Sequence, residues 1–331
     1  MRAIAMISLL ALAACGGGGS GANPGGLSER AQALAFGTKA GQAPANGLPF
    51  ATEDTTLADV DGAGPINIKV VGAITDHESG ETRLVILDET VISTGDDLGD
   101  FVVTLNGETL AFVEGAGPAS VEGGEDWNSE TFTEGAVSAT RSIYVYARGE
   151  NPDLNGEFDA ELFSVVGFET DPTEIAAITG SVTYSGILEG YGQLLDLDGN
   201  LIDDEVNISG GIEITAAFDD LDTVNGSLNA SYGPDEGSDF ENTVEMTFSA
   251  GIDGNGYAAD LNCTSGCVDQ SSVIAGAFYG HDALETSGLI GFDITSTVAN
   301  PDDPNAPFET QFIGGSGFTA TQDGVVGGGG E

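Results

Sequence analysis

Basic residues are almost missing from this 331-residue sequence. Lys and Arg together number 7 against 54 Asp and Glu, so the formal net charge is −47 at pH 7. A protein that binds nucleic acid needs clustered cations to displace counterions from the phosphates, and seven scattered basic residues do not form such a cluster. The charge therefore excludes nucleic acid, disfavours anionic lipid surfaces, and favours a cationic partner or a strongly hydrated surface.

Residues that carry catalysis are equally scarce. The only two histidines, His77 and His281, are far apart in the sequence, and neither lies in a recognisable nucleophile arrangement. Among 54 acidic residues, pairs of carboxylates are expected by chance. We expect a protein that is not an enzyme, with no catalytic residue and no cofactor. His281 falls in a predicted turn, where a solvated imidazole is the ordinary expectation.

Long apolar runs are missing except at the start of the chain. The run Ala3–Ala14 follows Met1 and Arg2 and is shorter than the roughly 20 residues that span a bilayer, which is typical of a secretory signal. Its end, Leu12-Ala13-Ala14-Cys15, resembles the lipobox of bacterial lipoproteins. That resemblance implies cleavage before Cys15 and lipidation of Cys15. The alternative is an ordinary signal peptide with an incidental cysteine.

The segment after Cys15 predicts where the chain is held. Gly16–Gly21 is rich in glycine and predicts a flexible tether. Gly16 replaces the Asp that, in enteric bacterial lipoproteins, marks retention at the inner membrane. The resemblance therefore implies a lipid anchor in the outer membrane or at the cell surface of a Gram-negative bacterium. We assign residues 1–14 to the signal peptide and residues 15–50 to the lipidated tether.

Cysteine is rare, with three in the chain. If Cys15 is lipidated, Cys263 and Cys267 remain, and a close pair in an exported protein predicts a disulfide that closes a small loop. The alternative is half of a zinc site, although no further cysteine is available to complete it.

Helical signals are short. Ser28–Phe36 predicts one helix with Ser28 as its N-cap, and Asp171-Pro172 predicts a helical turn with Asp171 as its N-cap. The rest of the chain is rich in Thr, Val, Ile and Gly, which favours strands joined by tight turns. We expect strands at Ile66–Val70, Arg83–Ile92, Ser142–Tyr146 and Glu161–Phe168, and a hairpin of Phe101–Leu105 with Glu108–Val113 across Asn106-Gly107. Gly115–Thr133 is expected to be a polar loop.

The second half of the chain predicts an all-β fold with an eight-stranded antiparallel barrel. Apolar residues alternate along the strands, as at Val244, Met246 and Phe248. Glycines inside the strands (Gly186, Gly276, Gly291, Gly317) fit the bends of a small barrel, and a sandwich is the alternative. The eight expected strands are Ile178–Glu189, Val206–Phe218, Thr223–Tyr232 (or a turn at Asn225-Gly226), Asn242–Ile252, Tyr257–Asn262, Val273–Gly280, Gly288–Thr295 and Thr310–Thr321.

Three motifs resemble the C-terminal barrel of transferrin-binding protein B and related surface lipoproteins. They are Ala275–Phe292, with its Gly-x-Phe-Tyr-Gly strand end, Phe312–Phe318 and Gly180–Gly186. The resemblance implies a lobe made of a β-rich handle, residues 51–170, and a barrel, residues 171–323, before a Gly-rich tail, residues 324–331. Transferrin-binding protein B has two such lobes, and this chain is long enough for one.

Two further segments have competing interpretations. In Phe278-Tyr279-Gly280, aromatic side chains are expected in the core rather than on a ligand. The run Asp196–Glu205 offers carboxylate oxygens at alternate positions, as calcium requires. It departs from the EF-hand pattern at Leu201 and Asn207, and a polar hairpin tip explains it equally well, so we assign no metal site.

Together these features predict a surface-anchored lipoprotein that acts as a non-catalytic binding module. The resemblance implies that it captures an iron-bearing protein, a haem-protein or a related solute and works with a TonB-dependent transporter. The alternative is a structural or adhesive acidic lipoprotein without a transport role.

Overall fold

The chain folds into two antiparallel β-sheets, with short helices at their margins. The computed structural model describes residues 26–55, 64–76, 80–94, 101–105, 108–112, 124–134, 139–151, 156–219, 222–234, 242–298 and 308–324. Helix α1 spans Glu29–Leu34 and α2 spans Pro172–Ile175. Ser28 and Asp171 accept hydrogen bonds from backbone N–H groups at the first turns of these helices, which confirms both predicted N-caps.

The first sheet contains seven strands in the order β4-β3-β2-β1-β7-β6-β5. The strands are β1 (Gly64–Asp76), β2 (Glu81–Thr94), β3 (Phe101–Leu105), β4 (Glu108–Phe112), β5 (Gly124–Glu134), β6 (Thr140–Asn151) and β7 (Gly156–Gly167). Strands β3 and β4 pair as the predicted hairpin, and its turn at residues 106–107 lies outside the described residues.

The second sheet contains ten strands and includes the eight that the sequence predicts. They are β8 (Ser181–Asp196), β9 (Leu201–Ala217), β10 (Thr223–Pro234), β11 (Asn242–Gly251), β12 (Gly256–Asp260), β13 (Asn262–Ser265), β14 (Asp269–Gln270), β15 (Val273–Tyr279), β16 (Glu285–Val298) and β17 (Phe308–Gln322). The path runs β12-β15-β16-β17-β8-β9-β10-β11-β13, and β14 pairs with β16 off this path.

The second sheet nearly closes on itself because its two ends are halves of one strand. Residues 256–265 change partner at Leu261: β12 pairs with β15 and β13 pairs with β11. Counting β12 and β13 as one strand leaves eight strands around the ring. The predicted all-β class and eight-stranded antiparallel barrel are therefore confirmed, and the sandwich alternative is wrong.

The interior of the barrel is filled by aromatic and aliphatic side chains. Ring centroids lie 5.0 Å apart for Phe218 and Phe278, and 4.8 Å apart for Tyr232 and Phe312. Gly226 lies opposite Phe248 in the pairing of β10 with β11, and a Cβ atom there would overlap the Phe248 ring. The alternative of a turn at Asn225-Gly226 is wrong: β10 runs through this glycine, which makes room for the ring.

The first sheet packs on one wall of the barrel, and glycines allow the close approach. A Cβ atom on Gly317 would overlap Ser142 of β6, and one on Gly315 would lie 2.9 Å from the Cα atom of Gly72 in β1. A Cβ atom on Gly291 would lie 3.1 Å from the side chains of Val71 and Leu84 of the first sheet. Gly291 and Gly317 were expected to allow bends in their strands. Their main role is instead to leave space for the first sheet on the outside of the barrel.

Buried polar contacts join the same two sheets. The backbone N–H groups of Ala139 and Thr140 donate to the buried carboxylate of Glu285, at 3.0 and 3.1 Å. Thr75 and Thr82 of the first sheet both donate to the side-chain oxygen of Gln193 in β8. A buried hydrogen-bond acceptor destabilises the fold little when its donors are present. Removing the donors would leave the acceptor unsatisfied and would cost about 1–3 kcal/mol of folding stability for each such group.

The segment 26–55 lies against both sheets. Glu169, buried just after β7, accepts hydrogen bonds from the backbone N–H groups of Ala45 and Asn46, at 3.0 and 3.3 Å. It also accepts from Thr38 and from Asn255 in the turn before β12. This carboxylate therefore holds the N-terminal segment on the barrel.

One sequence expectation is wrong. The segment expected as a polar loop, Gly115–Thr133, contains most of β5, which pairs with β6. Strand β5 lies at the edge of its sheet. An edge strand has one neighbour and tolerates polar residues, so apolar alternation does not reveal it. Among the described residues, no helix has both the length and the hydropathy needed to cross a bilayer.

Candidate functional site

Antiparallel pairing brings several strand ends together at one end of the barrel. We call it the Leu197 end, after the residue at the tip of the hairpin that joins β8 and β9. The strand termini that meet there are Asp196, Leu201, Pro234, Asn242, Ser265, Val298 and Phe308. The connections 235–241 and 299–307 lie outside the described residues.

The β8–β9 hairpin tip is held in one conformation by Asp196. Its carboxylate accepts hydrogen bonds from the backbone N–H groups of Asp198 and Asn200, at 2.9 and 2.8 Å, and from the Asn200 side chain at 2.7 Å. The bond from the Asn200 side chain contributes most to lowering the pKa of Asp196 below its ordinary value. Gly199 takes a positive φ of 84°, which allows the tight turn.

Apolar side chains project from this tip into solvent. Leu197 is 58% exposed, Leu201 39% and Ile202 46%, and they stand beside the acidic side chains of Asp198 and Asp204. Single exposed aliphatic residues are common on protein surfaces. Three within six positions on an ordered hairpin are a feature of protein-binding surfaces, because rigid apolar groups bury area at low entropic cost.

The disulfide loop lies at the same end. The structure joins Cys263 to Cys267, with Cα atoms 6.2 Å apart. The backbone N–H of Val268 donates to Thr295 of β16 at 2.8 Å, while the Val268 side chain is 59% exposed. Ser296 donates to the carbonyl of Gly266 at 2.8 Å. A short, anchored loop thus presents a fourth exposed aliphatic group.

The run considered for calcium forms this hairpin tip. The oxygens of Asp196 accept hydrogen bonds within the turn. Among the described side chains, the run Asp196–Asp204 does not bring three carboxylates within ligand distance of one another. The polar hairpin tip is the interpretation that these contacts favour.

Two cavities among the described residues do not fit haem or another large solute. A cavity of about 280 Å³ lies between the N-terminal segment and both sheets, and its charged Lys69 and Glu169 are hydrogen-bonded to that segment. A shallow depression of about 490 Å³ on the outer wall of β8–β11 has no aromatic residue in its lining. Small-molecule sites are typically 300–1,000 Å³ and lined by apolar and aromatic groups.

The remaining candidate residues lie elsewhere. Cys15 and His77 are outside the described residues. Phe278 is buried in the barrel interior and Tyr279 between the two sheets, so both are core residues, as expected. Burial is the main cause that raises the pKa of Tyr279 well above its ordinary value. His281 lies at the opposite end of the barrel from Leu197, in a 3₁₀ turn that spans His281–Ala283.

The sequence did not single out Leu197, Leu201 or Ile202 as functional. The run Asp196–Glu205 offered carboxylate oxygens at alternate positions or a polar hairpin tip, and neither interpretation gave the aliphatic residues between the acids a role. The available signal was that these residues flank Asp198-Gly199-Asn200, a turn, and side chains next to a turn point away from the core.

No family model and no curated protein matches the sequence. The chain is similar in structure to transferrin-binding protein B. The Neisseria meningitidis protein matches with 13% identity and a TM-score of 0.33, over 77% of this chain and 43% of that chain. The Haemophilus parasuis protein matches with 16% identity and a TM-score of 0.34, over 76% and 44%.

A second similar structure is HpuA from Kingella denitrificans, solved in complex with human haemoglobin. It matches with 12% identity and a TM-score of 0.33, over 83% of this chain and 91% of that chain. The chain spans less than half the length of the two transferrin-binding proteins B. The barrel assignment rests on the strand pairing.

Proposed function

We propose that this protein is a lipid-anchored surface module that binds another protein through the Leu197 end of its barrel. The observation that carries the proposal is the ordered hairpin tip with Leu197, Leu201 and Ile202 exposed beside carboxylates. The barrel interior is packed with side chains. A protein surface therefore fits the described site better than a small solute does.

The chemistry of the tip defines the kind of partner. The three aliphatic side chains would pack against a shallow apolar patch on the partner. The neighbouring Asp198, Asp203 and Asp204 favour a partner whose patch is surrounded by Lys and Arg. An overall charge of −47 adds a long-range attraction to such a surface. An iron-bearing or haem-bearing protein is the partner class that the sequence resemblance implies, and a TonB-dependent transporter would receive the cargo.

The first prediction concerns the tip. We expect the double substitution Leu197→Ser, Leu201→Ser to weaken partner binding about tenfold or more, since burying each of these partly exposed side chains at an interface contributes about 1–2 kcal/mol. The measurement is biolayer interferometry of the immobilised chain with haemoglobin and with iron-loaded transferrin. Ile187→Ser is the matched control, because Ile187 is 48% exposed on the barrel wall away from the tip.

Lysozyme, a basic protein without iron, separates specific capture from attraction by charge alone. If lysozyme binds as tightly as both iron proteins, or if neither iron protein binds, the uptake role is wrong. An acidic adhesive or structural lipoprotein is then the better description. If binding occurs but Ile187→Ser weakens it as much as the tip variant does, the site assignment is wrong.

The second prediction concerns the anchor. We expect Cys15→Ser to abolish lipidation and to leave the signal segment uncleaved, so that metabolic labelling with a radioactive fatty acid no longer marks the protein. Cys267→Ser is the control, because it removes a different cysteine and should still be labelled. Equal labelling of wild type and Cys15→Ser would contradict the lipoprotein assignment and the outer-membrane location that depends on it.

A further inference from the structure

A group of ionisable side chains at the other end of the barrel has no role in the proposed binding site. His281 lies between Glu174 of α2, Asp282 of its own turn and Glu53 of the N-terminal segment. Among the described residues, Glu174, His281 and Asp282 are the one group of three potential metal ligands within 4.8 Å of one another. Together with Glu53, these residues come from three separate parts of the chain.

Glu174 orients the imidazole. Its Oε1 atom lies 2.6 Å from Nδ1 of His281 and accepts the backbone N–H of Asp282 at 2.5 Å. The Glu174 side chain is half-buried, at 21% exposure. A hydrogen bond from Nδ1–H to a carboxylate fixes the histidine tautomer with its lone pair on Nε2, which is the arrangement found behind metal-binding histidines.

The free nitrogen faces two further carboxylates. Nε2 of His281 lies 3.4 Å from Oδ2 of Asp282 and 3.8 Å from Oε1 of Glu53. A tetrahedral zinc ion with bonds of about 2.0–2.2 Å holds its ligand atoms about 3.3–3.6 Å apart. The first distance lies in this range. Glu53 lies outside the group whose ligand atoms are within 4.8 Å of one another, so it has to move closer to both His281 and Asp282 to bind the same ion. The Glu53 side chain is 84% exposed and free to make that shift.

The donor set also selects the ion. One imidazole nitrogen with two carboxylate oxygens suits zinc and other divalent transition metals, whereas calcium and magnesium prefer oxygen ligands alone. The excess of acidic residues raises the local concentration of any cation.

We propose that Nε2 of His281, Oδ2 of Asp282 and Oε1 of Glu53 form a site for one divalent transition-metal ion such as zinc, with Glu174 orienting His281. Water completes the fourth position. Because Glu53 belongs to the N-terminal segment and His281 to the barrel, the bound ion clamps that segment to the barrel. The site is independent of partner binding at the Leu197 end.

The test is a calorimetric titration of the EDTA-treated, dialysed full chain with zinc chloride at pH 7.5, in a buffer that contains excess calcium to occupy non-specific carboxylates. We expect one zinc per chain. His281→Gln should remove this event, Asp282→Asn and Glu53→Gln should weaken it, and Glu174→Gln should weaken it about 10- to 100-fold. His77→Gln is the matched control, because it changes the only other histidine, and it should bind zinc as wild type does.

Imidazole NMR provides a second readout. With two histidines in the chain, zinc should shift the signals of one ring, and that ring should be the one lost in His281→Gln. Circular dichroism of each variant checks that it is folded. Zinc binding that survives His281→Gln, or the absence of any saturable zinc binding in wild type, overturns the proposal. Unchanged affinity in Glu53→Gln overturns the clamp.

Discussion

Asp293 shows how one side chain remains charged at the junction of the N-terminal segment and the barrel. Its carboxylate lies 2.6 Å from Nη1 of Arg30, and it accepts hydrogen bonds from Ser271 at 2.8 Å and Gln311 at 2.6 Å. Burial acts to raise the pKa of Asp293. The hydrogen bonds from Arg30, Gln311 and Ser271 outweigh it, and the pKa is lowered from its ordinary value.

The third prediction follows from this shift. The pKa of Asp293 is lower in the folded chain than in the unfolded chain, where Asp titrates near about 3.9. Its stabilising contribution is therefore present above about pH 4 and is lost as the pH falls through the folded-state value. We expect Asp293→Asn to be less stable than wild type at pH 5 and to lose less stability on acidification.

Urea unfolding at a series of pH values from 5 to 2.5 measures this difference. Asp204→Asn is the control, since it removes the same charge at an exposed position on the hairpin. Parallel pH profiles for Asp293→Asn and wild type would mean that the Arg30 contact does not tie the N-terminal segment to the barrel.

At the scale of elements, the close contact between the two sheets depends on glycines, which have no side chain to keep the sheets apart. The fourth prediction is that Gly317→Ala destabilises the protein by about 1–3 kcal/mol, because its Cβ atom would overlap Ser142 across the sheet contact. Gly211→Ala is the control: a Cβ atom there lies 3.9 Å from its nearest neighbour, the carbonyl oxygen of Gly186. The free energy of unfolding in urea is the measurement. Equal stability of the two variants would contradict the described packing of the first sheet on the barrel.

The sequence could predict the features that depend on local patterns, but not those that depend on contacts between distant strands. The eight barrel strands were found because Val244, Met246, Phe248 and their equivalents alternate with exposed residues, and a barrel wall imposes that period. Edge strand β5 was missed because it has a neighbour on one side only. The role of Gly317 was missed because a sequence does not show which distant strand lies opposite. Both N-caps were predicted because capping is local.

The candidate site was less predictable than the fold. The sequence indicated a turn at Asp198-Gly199-Asn200 and a paired Cys263 and Cys267, but it did not place them at the same end of the barrel. That placement follows from antiparallel order around a nearly closed ring. The exposure of Leu197 and Ile202 follows from their place beside the local turn, whereas their position at the same end as the disulfide loop depends on the long-range pairing.

At the scale of the whole molecule, the two ends of the barrel have different chemistry. The Leu197 end carries exposed aliphatic groups beside carboxylates, whereas the His281 end carries an oriented imidazole next to the N-terminal segment. The two parts of the N-terminal segment contact different places on the barrel. Ser28 and Arg30, which are nearer to Cys15 in the sequence, contact Asp260 and Asp293 on the barrel wall, whereas Glu53 approaches His281.

The fifth prediction tests the central claim, that a protein partner binds at the Leu197 end. The measurement is amide hydrogen exchange of the full chain, alone and with saturating haemoglobin or iron-loaded transferrin. We expect slower exchange at residues 196–203 and 263–269, with unchanged exchange at residues 208–214 on the barrel wall and at residues 280–284. Protection confined to the wall or to the His281 turn, with the hairpin tip unchanged, would contradict the account.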